Sequence, residues 1–313
     1  MSRPVLANID ITALQHNLTR VRQLAPASSI MSIVKADAYG HGLLTSCQAL
    51  KESDAFGLLD LADAISLRNA GFSQPICLLE GFFTADEIPV IASNNLEPVI
   101  HSSWQLDVLQ QIEDDLNLSV WLKIDTGMHR LGFALADFRH VQARLSEMKC
   151  IHQVSVMSHL ASADESDKPT TTEQLQQFEK TTGQTDSARS LANSAAILAH
   201  PDCHFEWVRP GIMLYGSSPF SERTAGQLDL SPVMSLQSEI ISIKNLKQGD
   251  AVGYGGTWVC PEDMRMAVVA CGYGDGYPRH APAGTPVMVA GKLTTLIGRV
   301  SMDMITVDLR GID

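Results

Sequence analysis

The feature that most constrains this chain is an alternation. Over its first two-thirds, short apolar or β-branched runs are followed repeatedly by stretches with helical apolar spacing. The strand-like runs are PVLANID (4–10), SIMSIVKA (29–36), AFGLLDL (55–61), PICLLEG (75–81), LEPVIHS (96–102), LSVWLKID (118–125), HQVSVMSHL (152–160), ARSLANS (188–194) and FEWVRPG (205–211). Between them lie TALQHNLTRVRQLA (12–25), with Leu14, Leu18, Val21 and Leu24 three or four apart, SWQLDVLQQIEDDL (103–116) and TTEQLQQFEKTTG (171–183). A strand that returns through a helix pairs in parallel with the next strand, so the alternation predicts an α/β fold with a parallel sheet. About eight such units fit a (β/α)8 TIM-like barrel better than an open doubly wound sheet. The absence of a G-x-G-x-x-G turn after the first strand weighs the same way.

Near residue 225 the texture changes. SPVMSLQSEIISIKNL alternates with a strand period, and the remainder is short, glycine-punctuated apolar runs with no convincing helix. This predicts a mostly-β C-terminal domain, with the division expected at 1–225 and 226–313. A net charge of −12 argues against nucleic acid or an anionic membrane surface as the main partner. No apolar run reaches the ~18 residues of a spanning helix, and MSRPVLANID lacks a signal-peptide pattern, so the chain reads as cytoplasmic. The six cysteines are scattered without a C-x-x-C pair, and the ten histidines form no H-x-x-x-H or H-E-x-x-H cluster. Buried reduced thiols are expected, with neither a disulfide framework nor a protein-ligated metal.

In a parallel barrel the chemistry sits at the C-terminal ends of the strands. The polar residues ending the strand candidates are Lys35 with Tyr39, Asp125 with Arg130, His159, Asn193 with Ser194, and Arg209. A lysine at the end of a buried strand loses solvation, which lowers its pKa and frees its amine to form a Schiff base. Taken alone, Lys35 reads equally as a side chain snorkelling to solvent. Asn193 and Ser194 open a helix pattern, where a hydroxyl and backbone N–H groups suit a phosphate or simply cap the helix. Gly211 and Ile212, in RPGIMLYG, add a turn whose amides suit the same anion. Lysine plus phosphate cradle points to pyridoxal 5′-phosphate (PLP) or to a sugar-phosphate substrate of a Schiff-base aldolase.

Eight motifs narrow this choice. VKADAYGHG (34–42), KIDTGMHRLG (123–132), MSHLASADE (157–165), NSAA (193–196), VRPGIMLYG (208–216), VGYGG (252–256), GYGDGYPR (272–279) and GRVSMDM (298–304) together resemble the bacterial alanine racemase family, in that family's order and over nearly the whole chain. The resemblance implies a PLP-binding barrel, a C-terminal β domain, and a head-to-tail homodimer with shared active sites acting on alanine. It implies that Lys35 holds PLP and acts as one of two bases, and that Tyr254 is the second base, supplied by the partner subunit. Arg209 matches the arginine facing the PLP ring nitrogen, and Tyr39, Ser194, Gly211 and Ile212 match phosphate contacts, with Asn193 beside them. Arg130 matches a residue that bonds the PLP phenolic oxygen and the substrate carboxylate. His159 matches a histidine between Tyr254 and Arg209, and Met302 and Asp303 match partner residues near the substrate. Lys123 stands where some members carry a carbamylated lysine that orients Arg130. GYGDGYPR, with Tyr273 and Tyr277, reads either as a loop bordering substrate access or as plain turn structure.

The implied reaction explains these residue types. Racemisation takes a proton from one face of the α-carbon and returns one to the other, which needs two bases. An unperturbed tyrosine titrates near 10, so a base at Tyr254 needs help, expected through His159 and Arg209. The family continues for some tens of residues past MITVDLRGID, where a further tyrosine reaches the PLP phosphate. A chain ending at Asp313 is therefore expected to lack that ligand and to leave strand edges unpaired. The competing readings are a racemase of broader range, serine included, and a PLP-binding protein inactive through truncation. A basic amino-acid decarboxylase fits less well, because such enzymes place a carboxylate where Arg209 stands.

Overall fold

The computed structural model describes residues 3–112, 115–165 and 167–312. The chain divides into two units, Ile9–Val233 and Met1–Asn8 with Met234–Asp313. In the first, eight parallel strands close a barrel: β2 (Ser29–Ile33), β3 (Ala55–Leu58), β4 (Ile76–Leu78), β5 (Leu96–Ile100), β6 (Leu118–Lys123), β7 (Ile151–Met157), β8 (Arg189–Ser190) and β9 (Trp207–Val208). Closure is made by β9 against β2, with Ser29 opposite Trp207 and Ile30 opposite Val208.

The strand sequences explain a filled barrel. One face of each strand points inward, where Met31, Ile33, Ala55, Cys77, Val99, Trp121 and Met157 pack with Trp207. Trp121 and Trp207 meet edge to face at 6.0 Å. The Trp121 indole N–H donates to the half-buried Glu97 carboxylate at 2.7 Å, so the ring's polar edge is satisfied inside an apolar interior. The outward faces pack against the helices. Helix Ile11–Leu24 begins where the Asp10 carboxylate accepts the Thr12 and Ala13 N–H groups, and it buries Leu14, Leu18 and Val21 on one stripe. All six cysteines are buried and unpaired.

Two expectations shift. PVLANID is a strand, β1 (Leu6–Ile9), but it is no part of the barrel; it pairs with β10 (Met234–Gln237). The division falls at 233 rather than 225, because the intervening segment completes the barrel's packing. Leu228, Leu230 and Val233 are buried in its core. The fully buried Asn17 carboxamide donates to the Leu214 and Ser231 carbonyls at 2.9 and 2.8 Å and accepts the Ser231 N–H at 2.8 Å.

In the second unit a five-stranded antiparallel sheet runs in the order β11 (Ile240–Leu246), β14 (Met264–Val269), β17 (Ile305–Asp308), β16 (Lys292–Ile297) and β15 (Pro286–Val289). The short pair β12 (Ala251–Val252) and β13 (Trp258–Val259) lies between β11 and β14 in sequence. β11 is an edge strand, with Ile241 and Ile243 exposed. Among the described residues no helix is long and apolar enough to cross a membrane.

Candidate active site

The barrel's C-terminal mouth holds a cavity of about 610 Å³. It is lined by Lys35, Tyr39, Lys123, Arg130, His159, Asn193, Ser194, Arg209, Gly211 and Ile212. Ten residues expected from sequence thus converge, because each lies at the end of a barrel strand or in the loop that follows it. Lys123 ends β6, His159 lies two residues past β7, and Arg209 directly follows β9.

Lys35 is presented by an unusual turn. Ala36, Asp37, Ala38 and Tyr39 all lie in the left-handed region, with φ of 54, 53, 54 and 56°. Each such residue costs roughly 1–2 kcal/mol, so the turn stores strain beside the lysine. Local bonds hold it. The Ala38 N–H reaches the Val34 carbonyl at 2.9 Å, the Gly42 N–H reaches the Asp37 carbonyl at 3.0 Å, and the Asp37 carboxylate accepts the Leu43 N–H at 2.7 Å. The Tyr39 ring stacks on Tyr215 at 4.6 Å, and the Tyr215 hydroxyl donates to the Ile33 carbonyl at 2.9 Å. Gly40 and Gly42, with φ of 80 and 89°, only finish a reversal that four non-glycine residues have made.

The electrostatics follow from crowding four cations around one opening. Burial lowers the Lys35 pKa and Arg130 lowers it further, while Glu80 pulls the other way. Lys123 is 8% exposed, and burial with Arg209 and Arg130 nearby brings it down to about 8. Burial first, then Arg209, holds His159 well below the ordinary imidazole range, so it is neutral at pH 7. Arg209 is brought by burial to about 10 and keeps its proton at neutral pH. Its terminal nitrogens donate to the Ser190 hydroxyl and to the Ser158 and Leu191 carbonyls. Among the described residues no direct Arg209–His159 hydrogen bond is present, and the Arg209 Nε has no protein acceptor.

The rim that the sequence reading assigned to an anion also differs in detail. Asn193 caps the helix Ser194–Ala199, its side-chain oxygen accepting the Ala196 N–H at 3.1 Å. The buried Ser194 hydroxyl accepts the Gly211 N–H at 2.9 Å and the Met213 N–H at 3.3 Å, so the Gly211 amide is already engaged. What Gly211 contributes is space: a Cβ there would lie 2.6 Å from the Tyr39 hydroxyl.

Sequence reading missed Glu80, His101 and Asp164, which also line the cavity. Glu80 and His101 end two of the strand candidates, so the strand-end rule alone would have found them. The His101 Nε2 bonds the Glu80 carbonyl at 3.1 Å, fixing one loop against the next, and burial lowers its pKa.

Tyr254, Met302 and Asp303 belong to the C-terminal unit. Tyr254 opens the short turn Tyr254–Gly256 and is 70% exposed, beside Tyr273, Arg279 and Arg299. Met302 is exposed between β16 and β17, and the Asp303 carbonyl accepts from Arg3 at 2.7 Å. The turn Tyr273–Asp275 is locked by the Asp275 carboxylate, which accepts the Gly272 N–H at 2.9 Å and pairs with Arg3 at 2.8 Å.

Fold and site together define a (β/α)8-barrel protein with a strand-end lysine in a cation-rich mouth cavity, followed by a β domain. Residues 9–219 match the family described as "Alanine racemase, N-terminal domain", and residues 233–313 match "Alanine racemase, C-terminal domain". The alanine racemase of Halorhodospira halophila is 47% identical over 100% of this chain and 86% of its own length. That of Nitrosococcus oceani is 51% identical over 97% of this chain and 85% of its own. The crystal structure of the biosynthetic alanine racemase of Pseudomonas aeruginosa superimposes with a TM-score of 0.96 at 43% identity, covering 99% of this chain and 87% of that one. The chain belongs to the alanine racemase family.

Proposed function

We infer that this protein interconverts L- and D-alanine with PLP as cofactor, as a cytoplasmic head-to-tail homodimer supplying D-alanine for peptidoglycan. The single observation that carries the reading is the convergence of Lys35, Arg209 and the Ser194–Gly211 rim on one barrel mouth, within a chain matched over its whole length by alanine racemases. That match favours the racemase over an inactive PLP-binding protein.

The residues present fit PLP. A carbonyl needs an amine with a destabilised ammonium form, and burial with Arg130 supplies that at Lys35. A phosphate needs a rim without steric bulk, and the missing Cβ of Gly211 leaves that room beside Tyr39 and Ser194. Asn193 and Ile212 complete the rim. When bound, PLP supplies the electron sink that makes the substrate α-proton removable.

The remaining work falls to the chain's own groups. The Lys35 Nζ would remove or return the α-proton on one face. The Tyr254 hydroxyl, from the partner subunit, does so on the other. Arg209 holds its proton and offers the unpartnered Nε as a donor that does not transfer it. Neutral His159 sits among fixed positive charges and relays their field toward Tyr254. Arg130 holds the substrate carboxylate, with Met302 and Asp303 of the partner closing the substrate's other side. The low pKa of Lys123 makes its amine available to carbon dioxide near neutral pH, and a carbamate there would pair with Arg130. Tyr273 and Tyr277 border substrate access.

The test is Lys35→Ala. The wild-type protein with added PLP is expected to show the visible absorbance of lysine-bound cofactor, and the variant to lose both that band and racemisation. A variant that kept the covalent band would overturn the assignment of Lys35.

A further inference from the structure

The helix Thr170–Thr182 carries a residue that none of the chemistry above uses. Gln174 is 2% exposed, and its carboxamide points at the loops that present the site. Its Nε2 donates to the Thr126 hydroxyl at 3.0 Å and to the His159 carbonyl at 3.0 Å. Its Oε1 accepts the Ala161 N–H at 2.9 Å. A carbonyl can only accept and an amide N–H can only donate, so the carboxamide has one orientation here.

The bonds continue inward. The Thr126 hydroxyl, accepting from Gln174, has its proton free for the Ser158 hydroxyl at 2.9 Å, and Ser158 donates to the Ile124 carbonyl at 2.8 Å. Thr126 and Ser158 are 2% and 1% exposed. Arg209 donates to the Ser158 carbonyl. One buried, directional chain thus touches the start of the loop that carries Arg130, the backbone of His159 and an acceptor of Arg209.

We propose that Gln174 is a positioning residue, the outer end of a Gln174–Thr126–Ser158 spine that sets Arg130, His159 and Arg209 relative to one another. In a buried chain each bond polarises the next, so loss of one end is felt along its length. The inference rests on the reading of Arg130 as the residue that holds the substrate carboxylate.

The test uses the PLP-loaded enzyme with L-alanine. Gln174→Met keeps the volume and removes every hydrogen bond, and Thr126→Val cuts the same chain one link further in. Each is expected to raise KM about five- to twentyfold with kcat within about threefold. Thr126→Ser, which keeps the hydroxyl, restores KM. Because the two sites form one chain, Gln174→Met/Thr126→Val should be no worse than the weaker single variant. Hydrogen exchange of residues 126–132 should accelerate in Gln174→Met. An unchanged KM in folded Gln174→Met, a proportional loss of kcat and KM effects independent of Thr126, or additive behaviour in the double variant would overturn the spine. Arg130→Lys separates the two claims: if it leaves KM unchanged while the spine variants raise it, the reading of Arg130 fails and the coupling stands.

Discussion

The left-handed turn after Lys35 makes a prediction whose sign is the reverse of the usual one. Ala36 is exposed, with φ 54° and ψ 55°. Glycine visits this region without the Cβ clash that costs an L-residue roughly 1–2 kcal/mol. Against this stands the extra freedom of glycine in the unfolded chain, about 0.4–1 kcal/mol. Ala36→Gly buries and exposes almost nothing, so the two terms leave a net stabilisation of about 0–1.6 kcal/mol. Ala38 has the same φ but is fully buried, and Ala38→Gly also forfeits a methyl group worth about 0.8 kcal/mol. It should come out close to neutral or below. Urea unfolding followed by far-ultraviolet circular dichroism reads both variants. In a right-handed helix Ala36→Gly would instead cost about 0.5–1 kcal/mol. A loss of that size would refute the strained turn and the account of how Lys35 is presented.

Other expectations follow from the buried polar groups. Lys123 falls from 10.5 to about 8 on folding, so between those values the unfolded chain binds more protons and stability rises with pH. In carbonate-free buffer, the stability of wild type relative to Lys123→Met should climb across pH 8 to 10.5 by an amount on the order of 3 kcal/mol, and a flat difference would contradict the burial argument. Asn17→Leu strands two carbonyls and an N–H beneath the first helix and should destabilise the barrel by about 2–4 kcal/mol in the same unfolding assay.

The parts legible in the sequence were those written as periodicity. Strand-helix alternation foretold the barrel, and the polar residues ending its strands foretold most of the cavity's polar lining, from Lys35 through Arg209. The parts that escaped depend on tertiary choices that leave no local signal. KADAY (35–39) contains no glycine, so nothing in it announces a left-handed turn; packing on Tyr215 and the Asp37 bond impose it. The segment from 226 to 233 was assigned to the β domain, and what ties it to the barrel, the burial of Leu228, Leu230 and Val233 and the bonds to the Asn17 carboxamide far upstream, leaves no local signal. β1 reads as a barrel strand because its alternation does not say which strand it will pair with. Glu80 and His101 were visible and passed over. Gln174 sits in a helix whose pattern marks it merely as a polar position, and its burial is set by two loops distant in sequence.

The proposed chemistry sets two bases on opposite faces of one substrate. PLP-loaded protein given L-alanine in deuterium oxide tests it most directly, with both alanine enantiomers analysed by mass early in the reaction. Two bases predict D-alanine carrying deuterium at the α-carbon while the remaining L-alanine stays largely protiated, and loss of this conversion in Tyr254→Phe. Absence of D-alanine, or equal early labelling of both enantiomers with Tyr254→Phe as active as wild type, would contradict it.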